Sequence, residues 1–322
     1  MKSAVVESYG HAPRYADFPD PELQAGQQLV TVTAAALSPL VRSIASGQHY
    51  SSGGSSFPFV PGVDGVGRLE NGQRVYFAFP RAPYGSMAER TVVGSSQCVP
   101  LPDELDGLTA AVAANPGMSS WAALTERARL VAGETVLVNG ATGAAGRLAI
   151  QIAKFLGAKT VIATGRNQAS IEPLTELGAD ATLPLDQEPE KLTQSFRSTI
   201  TDYGVNVVLD YLWGASAQSV IEAVSGHGSA AGEPRIRFVQ IGAISEGTVV
   251  LPAAALRSSG LELMGSGLGS VSFSGLLRSI GGLMNAIVPG KFRIEAVPVP
   301  LSEVESAWGR DAGGRIVFTV EG

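Results

Sequence analysis

Residues Gly133 to Lys154, GETVLVNGATGAAGRLAIQIAK, constrain the fold of this chain more than any other stretch. Thr135 to Asn139 form a short run of buried-strand type, and Gly140-Ala-Thr142-Gly143-Ala144-Ala145-Gly146 follows at once. From Ala144 onward Leu148, Ile150, Ile152, Ala153 and Leu156 make an apolar stripe of helical period. A strand that turns on glycines into a helix is the unit that holds a dinucleotide diphosphate. The glycines permit the tight turn and close backbone approach, and the first helical turn offers unpaired N–H groups to the phosphates. In a chain with 39 glycines the spacing alone is weak, because any α/β protein can carry a glycine-rich loop.

The residues that follow strengthen the reading. Gly157-Ala158 leads into a second strand, Thr160 to Thr164, at the spacing of a βαβ unit. A site that prefers NAD places an acid about 20 residues past the glycines to hold the ribose hydroxyls. Here the strand ends in Thr164-Gly165-Arg166-Asn167, with no acid. Arg166 can fork onto a 2′-phosphate, which a carboxylate would repel; the alternative is a solvated surface arginine. The expected cofactor is NADPH.

A chain of 322 residues suits two domains, and 45% hydrophobic against 16% charged residues supports sizeable cores. The net charge of −6 leaves no basic surface for nucleic acid or anionic lipid. One cysteine, Cys98, excludes an internal disulfide and fits a reducing compartment. Met1-Lys-Ser-Ala-Val-Val6 has strand character with no long apolar run behind it, so neither a signal peptide nor a membrane span is expected. The expected setting is the cytoplasm.

Short strand-like runs at 4–7, 28–36, 65–69, 74–79, 87–93 and 98–101, broken by turn chemistry, predict a β-rich barrel or sandwich for the first hundred or so residues. The pattern then becomes helical at 109–114 and 119–128. Strands at 135–139, 160–164, 181–183, 205–209, 235–241 and 261–265 alternate with helices, which implies a parallel sheet covered on both faces. After a helix at about 272–288 the chain returns to β at 294–299. Ser302-Glu-Val-Glu305 then has the form of a capping box, and 315–320 supplies a last strand. The expected architecture is α/β. A Rossmann doubly wound parallel sheet domain, 122–267, is inserted in a discontinuous β-rich domain, 1–121 and 268–322.

Further pieces occur in a specific order: Leu37-Ser38-Pro39 with Ser46-Gly47, Pro61-Gly-Val-Asp-Gly-Val-Gly67, Asn71-Gly-Gln-Arg-Val75 and Gly85-Ser-Met-Ala-Glu89, then Asn115-Pro-Gly-Met118-Ser119, Asp210-Tyr-Leu-Trp-Gly214 and Gly314-Arg-Ile-Val317. Together with the 133–158 unit, they resemble the medium-chain dehydrogenase/reductase superfamily, in particular its zinc-free quinone-oxidoreductase-like branch. The resemblance spans nearly the whole chain and implies a GroES-like barrel domain beside the Rossmann domain. Where zinc-dependent relatives place a cysteine and then a histidine, this chain has Ser38 and Val63, and the three histidines (His11, His49 and His227) lack metal-ligand spacing. No metal is expected.

Without a metal, hydride addition to a quinone or to the β-carbon of an enone is the fitting reaction, because charge spreads over a conjugated carbonyl and a few donors stabilise its oxygen. The resemblance implies NADPH contacts at Gly140, Thr142, Gly143, Ala144, Ala145 and Gly146 for the diphosphate, and at Thr164, Gly165, Arg166 and Asn167 for the adenosine phosphate. Ile241, Gly242, Ala243, Gly265, Ser266, Gly267, Asn115, Met118 and Ser119 would attend the nicotinamide side. Leu185 replaces the family's tyrosine near the adenine phosphate. Tyr50 and Ser38 are the catalytic candidates; against this, Tyr50 reads equally well as a loop aromatic packed on Phe57 or Phe59. Two alternatives stand beside a quinone or enone reductase: an enoyl-thioester reductase of the same superfamily, and a non-enzymatic NADPH-binding structural or regulatory protein. The expected partners are a small conjugated carbonyl substrate and a second copy of the chain, joined through the Rossmann edge strand Leu261–Gly265, with no nucleic acid and no membrane.

Overall fold

The computed structural model describes residues 1–48, 56–225 and 234–320. It divides into a flanking unit, Met1–Asn115 with Ile294–Gly322, and a central unit, Pro116–Arg293.

The flanking unit begins with β1 (Lys2–Val5) and β2 (Arg14–Asp17), an antiparallel pair. It continues through β3 (Gln27–Ala36), α1 (Pro39–Ala45), β4 (Asp64–Leu69), β5 (Arg74–Ala78), β6 (Arg90–Gly94) and β7 (Cys98–Pro100). Helix α2 (Gly107–Ala122) then carries the chain across the unit boundary. The central unit runs β8 (Thr135–Asn139), α3 (Ala144–Phe155), β9 (Thr160–Gly165), α4 (Gln168–Ile171), β10 (Ala181–Pro184), α5 (Pro189–Tyr203), β11 (Val205–Asp210), α6 (Gly214–Val224), β12 (Ile236–Gln240), α7 (Ala253–Arg257), β13 (Leu261–Gly265) and α8 (Phe273–Ile287). The chain closes in the flanking unit with β14 (Ala296–Pro300), α9 (Val304–Ala307) and β15 (Arg315–Thr319).

Strand β3 organises the flanking unit. Its alternation buries Val30, Val32 and Ala34 while Thr31 and Thr33 face outward, the period of a half-covered strand. It lies within a seven-stranded sheet of order β14-β15-β3-β4-β5-β7, with β6 also paired to β3. The central sheet has six strands, all parallel, in the order β10-β9-β8-β11-β12-β13. Every residue of β8 is buried, as in a strand covered on both faces. The order reverses between β8 and β11, and in such sheets ligands bind outside the carboxyl ends of the strands at that reversal.

Four local expectations are corrected. Helix α2 is continuous, not broken at Pro116. Tertiary packing holds it there: a Cβ on Gly117 would stand 2.7 Å from Leu283, and one on Gly282 would stand 2.8 Å from Trp121. Beyond it Ala123–Arg127 forms a wider turn in which the Ala128 N–H reaches back five residues to the Ala123 carbonyl. These α2–α8 contacts keep α8 in the central unit, so the boundaries fall at 115/116 and 293/294 rather than at 121/122 and 267/268. Ser302 forms no capping box; a short 3₁₀ turn occupies Leu301–Glu303 and no side chain caps α9. Strand β2 escapes the pattern, because Arg14-Tyr-Ala-Asp17 is mostly exposed and lacks alternation.

Candidate cofactor and active site

Strand β8 delivers Asn139 to the sheet reversal, and Gly140, at φ +88°, turns the chain there. Two bonds from β9 clamp the start of the loop. The Gly140 N–H donates to Thr164 Oγ1 at 3.0 Å, and the Ala141 N–H donates to the Thr164 carbonyl at 2.8 Å. At the loop's end Gly146 packs so closely that a Cβ would lie 2.5 Å from Ala141 Cα. Gly143 differs: it is the N-cap of α3, extended at φ −79° and ψ 168°, and a Cβ there would meet nothing within 4 Å. No side chain caps α3 and no acid sits in its first turn. Thr142, Gly143 and Ala144 are exposed and Ala145 half-buried. Free first-turn N–H groups facing open space, with the helix dipole behind them, fit a diphosphate.

On the β9 side Thr164 is fully buried and Gly165 abuts Thr142 and Ile171, each 2.5 Å from where a Cβ would stand. Arg166 is exposed, and its guanidinium pairs with no acid among the described residues. Asn167 is occupied: its side chain accepts from the Ser170 N–H at 3.0 Å and caps α4. Leu185 lies alongside, its N–H donating to the Gly165 carbonyl at 2.8 Å.

On the far side of the reversal the Ile241 and Gly242 N–H groups both donate to the Asp210 carbonyl, at 2.8 and 3.2 Å. The buried Ser266 follows, its N–H on the Gln240 carbonyl at 2.9 Å. Gly265 and Gly267 are engaged, the former's carbonyl by Arg127 Nε at 2.7 Å and the latter's N–H by Ser270 Oγ at 2.8 Å. Ala243 is exposed, and Asn115 is half-buried within α2. Met118 packs on Ala122, Val271 and Leu276. Ser119 Oγ donates to the Pro116 carbonyl at 2.7 Å and lies 3.4 Å from the hydroxyl of Tyr211. Burial pushes the Tyr211 phenol up to about 12, so it stays protonated.

Sequence reasoning missed a polar network beneath the loop. Thr164 Oγ1 donates to Asn139 Oδ1 at 2.8 Å; Asn139 Nδ2 donates to Asp210 Oδ1 at 2.7 Å and to Ser216 Oγ at 3.0 Å. Asp210 also accepts from the Leu212 and Trp213 N–H groups at 3.3 and 3.0 Å. Burial raises its carboxyl to about 6, against the hydrogen bonds from Asn139 and the two backbone groups that lower it. The signal was present, since two adjacent apolar strands, β8 and β11, close on Asn139 and Asp210, and β9 carries Thr164 one residue before its end.

In the flanking unit Ser38 is buried and caps α1, its Oγ accepting from the Val41 N–H at 3.1 Å, and its own proton has no acceptor among the described residues. Tyr50, with His49, lies outside the described residues. Cys98 packs against the flanking core, and burial pushes its thiol up to about 11. Among the described residues no three His, Cys, Asp or Glu side chains converge as a metal site, and no helix is long and apolar enough to cross a membrane.

Comparison with known proteins adds the following. Residues 144–281 match the family model described as zinc-binding dehydrogenase. The chain is 30% identical to a probable NADPH-dependent quinone reductase, tdiC, of Emericella nidulans, covering 99% of each. It is also 30% identical to a phenolphthiocerol/phthiocerol polyketide synthase subunit of Mycobacterium tuberculosis, over 63% of this chain but only 9% of that much longer protein. A mycobacterial quinone oxidoreductase shares the fold at a TM-score of 0.84 and 22% identity, covering 99% of both chains. The quinone oxidoreductase of Thermus thermophilus, also solved with NADPH, superposes at 0.77 with 25% identity over 99% of this chain and all of that one.

Proposed function

Because the chain belongs to the medium-chain dehydrogenase/reductase superfamily, in its quinone-oxidoreductase-like branch, we propose that it reduces a quinone or another α,β-unsaturated carbonyl with NADPH and without a metal. The observation that carries this reading is the uncapped first turn of α3 at the sheet reversal, opening on space at Gly143 with the unpaired Arg166 beyond β9. When bound there, NADPH supplies the hydride. The protein's part is to seat the diphosphate on the N–H groups of residues 144–146 and the 2′-phosphate on Arg166. Gly242, Ala243 and Ser266 attend the nicotinamide side, with Ser119 beside Met118.

A conjugated acceptor gains negative charge on its oxygen as hydride arrives at carbon, so donors at that oxygen lower the barrier. We assign donation to Ser38, whose proton has no acceptor among the described residues, and proton delivery to Tyr50. Zinc is not required in this scheme, and Ser38 and Val63 replace the residues that would hold it.

The test follows NADPH absorbance with 1,4-benzoquinone, a simple enone and crotonyl thioester in parallel. Turnover of the first two supports the proposal. Preference for the thioester favours enoyl-thioester reduction, the reading the polyketide synthase likeness supports. Turnover of none despite tight NADPH binding overturns both. Chelation leaves the rate unchanged, whereas inhibition reversed by zinc refutes the metal-free assignment. Tyr50→Phe slows turnover; an unaltered rate removes its role.

We further assign a homodimer formed through β13. That strand closes the central sheet with one paired neighbour, and Ile244, Val250, Leu256 and Leu268, from segments around it in sequence, are exposed. Met264→Asp should convert a dimer to monomer by light scattering; a wild-type monomer refutes the assignment. The cytoplasmic setting rests on the single cysteine and the absence, among the described residues, of a membrane-length apolar helix.

A further inference from the structure

Asn139 and Asp210, at the ends of the two strands that flank the sheet reversal, and Thr164, near the end of the neighbouring β9, are linked in one chain of hydrogen bonds whose directions chemistry fixes. An amide N–H only donates, so at Gly140 the acceptor is Thr164 Oγ1. The Thr164 proton therefore points at Asn139 Oδ1, and Asn139 must turn Nδ2 toward Asp210 and Ser216. Asp210 receives three N–H donors, from Asn139, Leu212 and Trp213, and gives none. Among side chains only a carboxylate is an acceptor at both ends, so Asp210 terminates the relay in its ionised form. Thr164, Asn139 and Asp210 are each fully buried, where an unmet donor is expensive.

We propose that Asp210 is a positioning residue for the cofactor: through Asn139 and Thr164 its carboxylate fixes the start of the Gly140–Gly146 loop, and so the aim of the first-turn N–H groups of α3. The proposal rests on the seating of the diphosphate at that loop argued above.

The relay has a proton-dependent state. Burial raises the Asp210 carboxyl to about 6. The side chains around it are neutral: Asn139 from β8, Thr164 behind it on β9, Ser216 from α6, and Gln240, its register partner on β12. The adjoining Tyr211 is protonated and directed at Ser119. A proton on Asp210 Oδ2, which accepts from Trp213 alone, removes the charge that strengthens the bond from Asn139 Nδ2, so Asn139 is no longer held against turning its amide over. Turning the amide presents Nδ2 to Thr164 and reverses the hydroxyl that accepts from Gly140. The loop start is thus fixed above about pH 6 and loosened below it.

The test is the Kd of NADP⁺ by calorimetry for wild type and Asp210→Asn between pH 5 and 8. The ligand's phosphate monoester itself titrates near pH 6. The readout is therefore the ratio of the two Kd values, from which the ligand's titration cancels. The expected ratio is about tenfold at pH 7.5, equivalent to about 1.4 kcal/mol, falling toward one below pH 5.5 as wild-type Asp210 also becomes neutral. Thr164→Val weakens binding by a similar factor at pH 7.5, and Thr164→Ser, which keeps the hydroxyl, restores it. A ratio of one throughout, or one that does not change with pH, overturns the proposal, as does a Thr164→Val protein that binds like wild type. Wild type that fails to bind NADP⁺ overturns instead the seating of the cofactor on which it rests. Circular dichroism and melting curves confirm that each variant is folded.

Discussion

Gly143 and Gly146 are a helical turn apart, yet a methyl group added to each should produce opposite results. At Gly146 the new Cβ would stand 2.5 Å from Ala141 Cα and 2.6 Å from the Gly140 carbonyl oxygen. Both neighbours are backbone, and relief to a normal contact of about 3.5–4.0 Å requires the loop to move by on the order of 1 Å. That movement pulls the Ala141 N–H from the Thr164 carbonyl, now 2.8 Å away. Overpacking of this kind costs about 1–3 kcal/mol, and replacing a helical glycine by alanine returns about 0.5–1 kcal/mol. The net loss is about 0.5–2 kcal/mol, or roughly 1–3 °C in Tm for a chain of 322 residues. At Gly143 the backbone is ordinary and the Cβ meets nothing, so Gly143→Ala should leave Tm within about 1 °C. Its methyl instead occupies the space assigned to the diphosphate, and NADPH affinity should fall at least about tenfold, a loss of about 1.4 kcal/mol. Differential scanning fluorimetry without ligand and fluorescence titration with NADPH measure the two quantities separately. Equal Tm losses for the two variants, or unimpaired NADPH binding by Gly143→Ala, would refute the reasoning.

Other outcomes follow from the same structure. Arg166→Ala should weaken NADPH by at least about tenfold and leave NADH nearly unchanged, since a charged hydrogen bond contributes about 1.5–3 kcal/mol; equal loss of both in titration removes its phosphate role. Phe196→Ala, which empties a fully buried site in the central core, should cost about 3–5 kcal/mol in urea unfolding. Asp210 is a carboxyl raised in the folded state from 3.8 to about 6, so the folded protein holds its proton more tightly than the unfolded chain. Its contribution favours folding below about pH 4 and is lost as pH rises to about 6, a change of order 3 kcal/mol. Urea midpoints of wild type relative to Asp210→Asn, taken at pH 4.5 and 7.5, should reveal that decline, and a difference independent of pH argues against it.

The parts of the molecule written in short-range pattern are legible in the sequence alone. The βα unit at 133–156 combines strand run, glycine spacing and helical stripe, and its elements fall where expected. Long-range compensation was not legible. Pro116 is a local helix breaker, yet α2 runs through it where the next residue, Gly117, packs closely against Leu283 and Leu148. Ser302 and Glu305 have the spacing of a cap, but the chain enters α9 from a 3₁₀ turn. At the site, glycines announce backbone geometry, whereas Asn139, Thr164 and Asp210 each look like an ordinary strand end. Their meaning comes from parallel register, which sets Asp210 opposite Asn139 and so joins residues 71 positions apart.

The flanking unit is built from both ends of the sequence, and this bears on how the protein is made. Strand β15 pairs with β3, setting Val317 opposite Ala36, so Ala34–Ala36, beyond the part of that edge taken by β6, stay open until Val317–Thr319 leave the ribosome. At roughly 5–20 residues per second, that wait is about 15 to 60 s. The central unit is one uninterrupted segment and can collapse in that interval. The nascent chain thus passes through a stage with a finished nucleotide domain and an exposed β edge, the stage at which chaperone protection matters most.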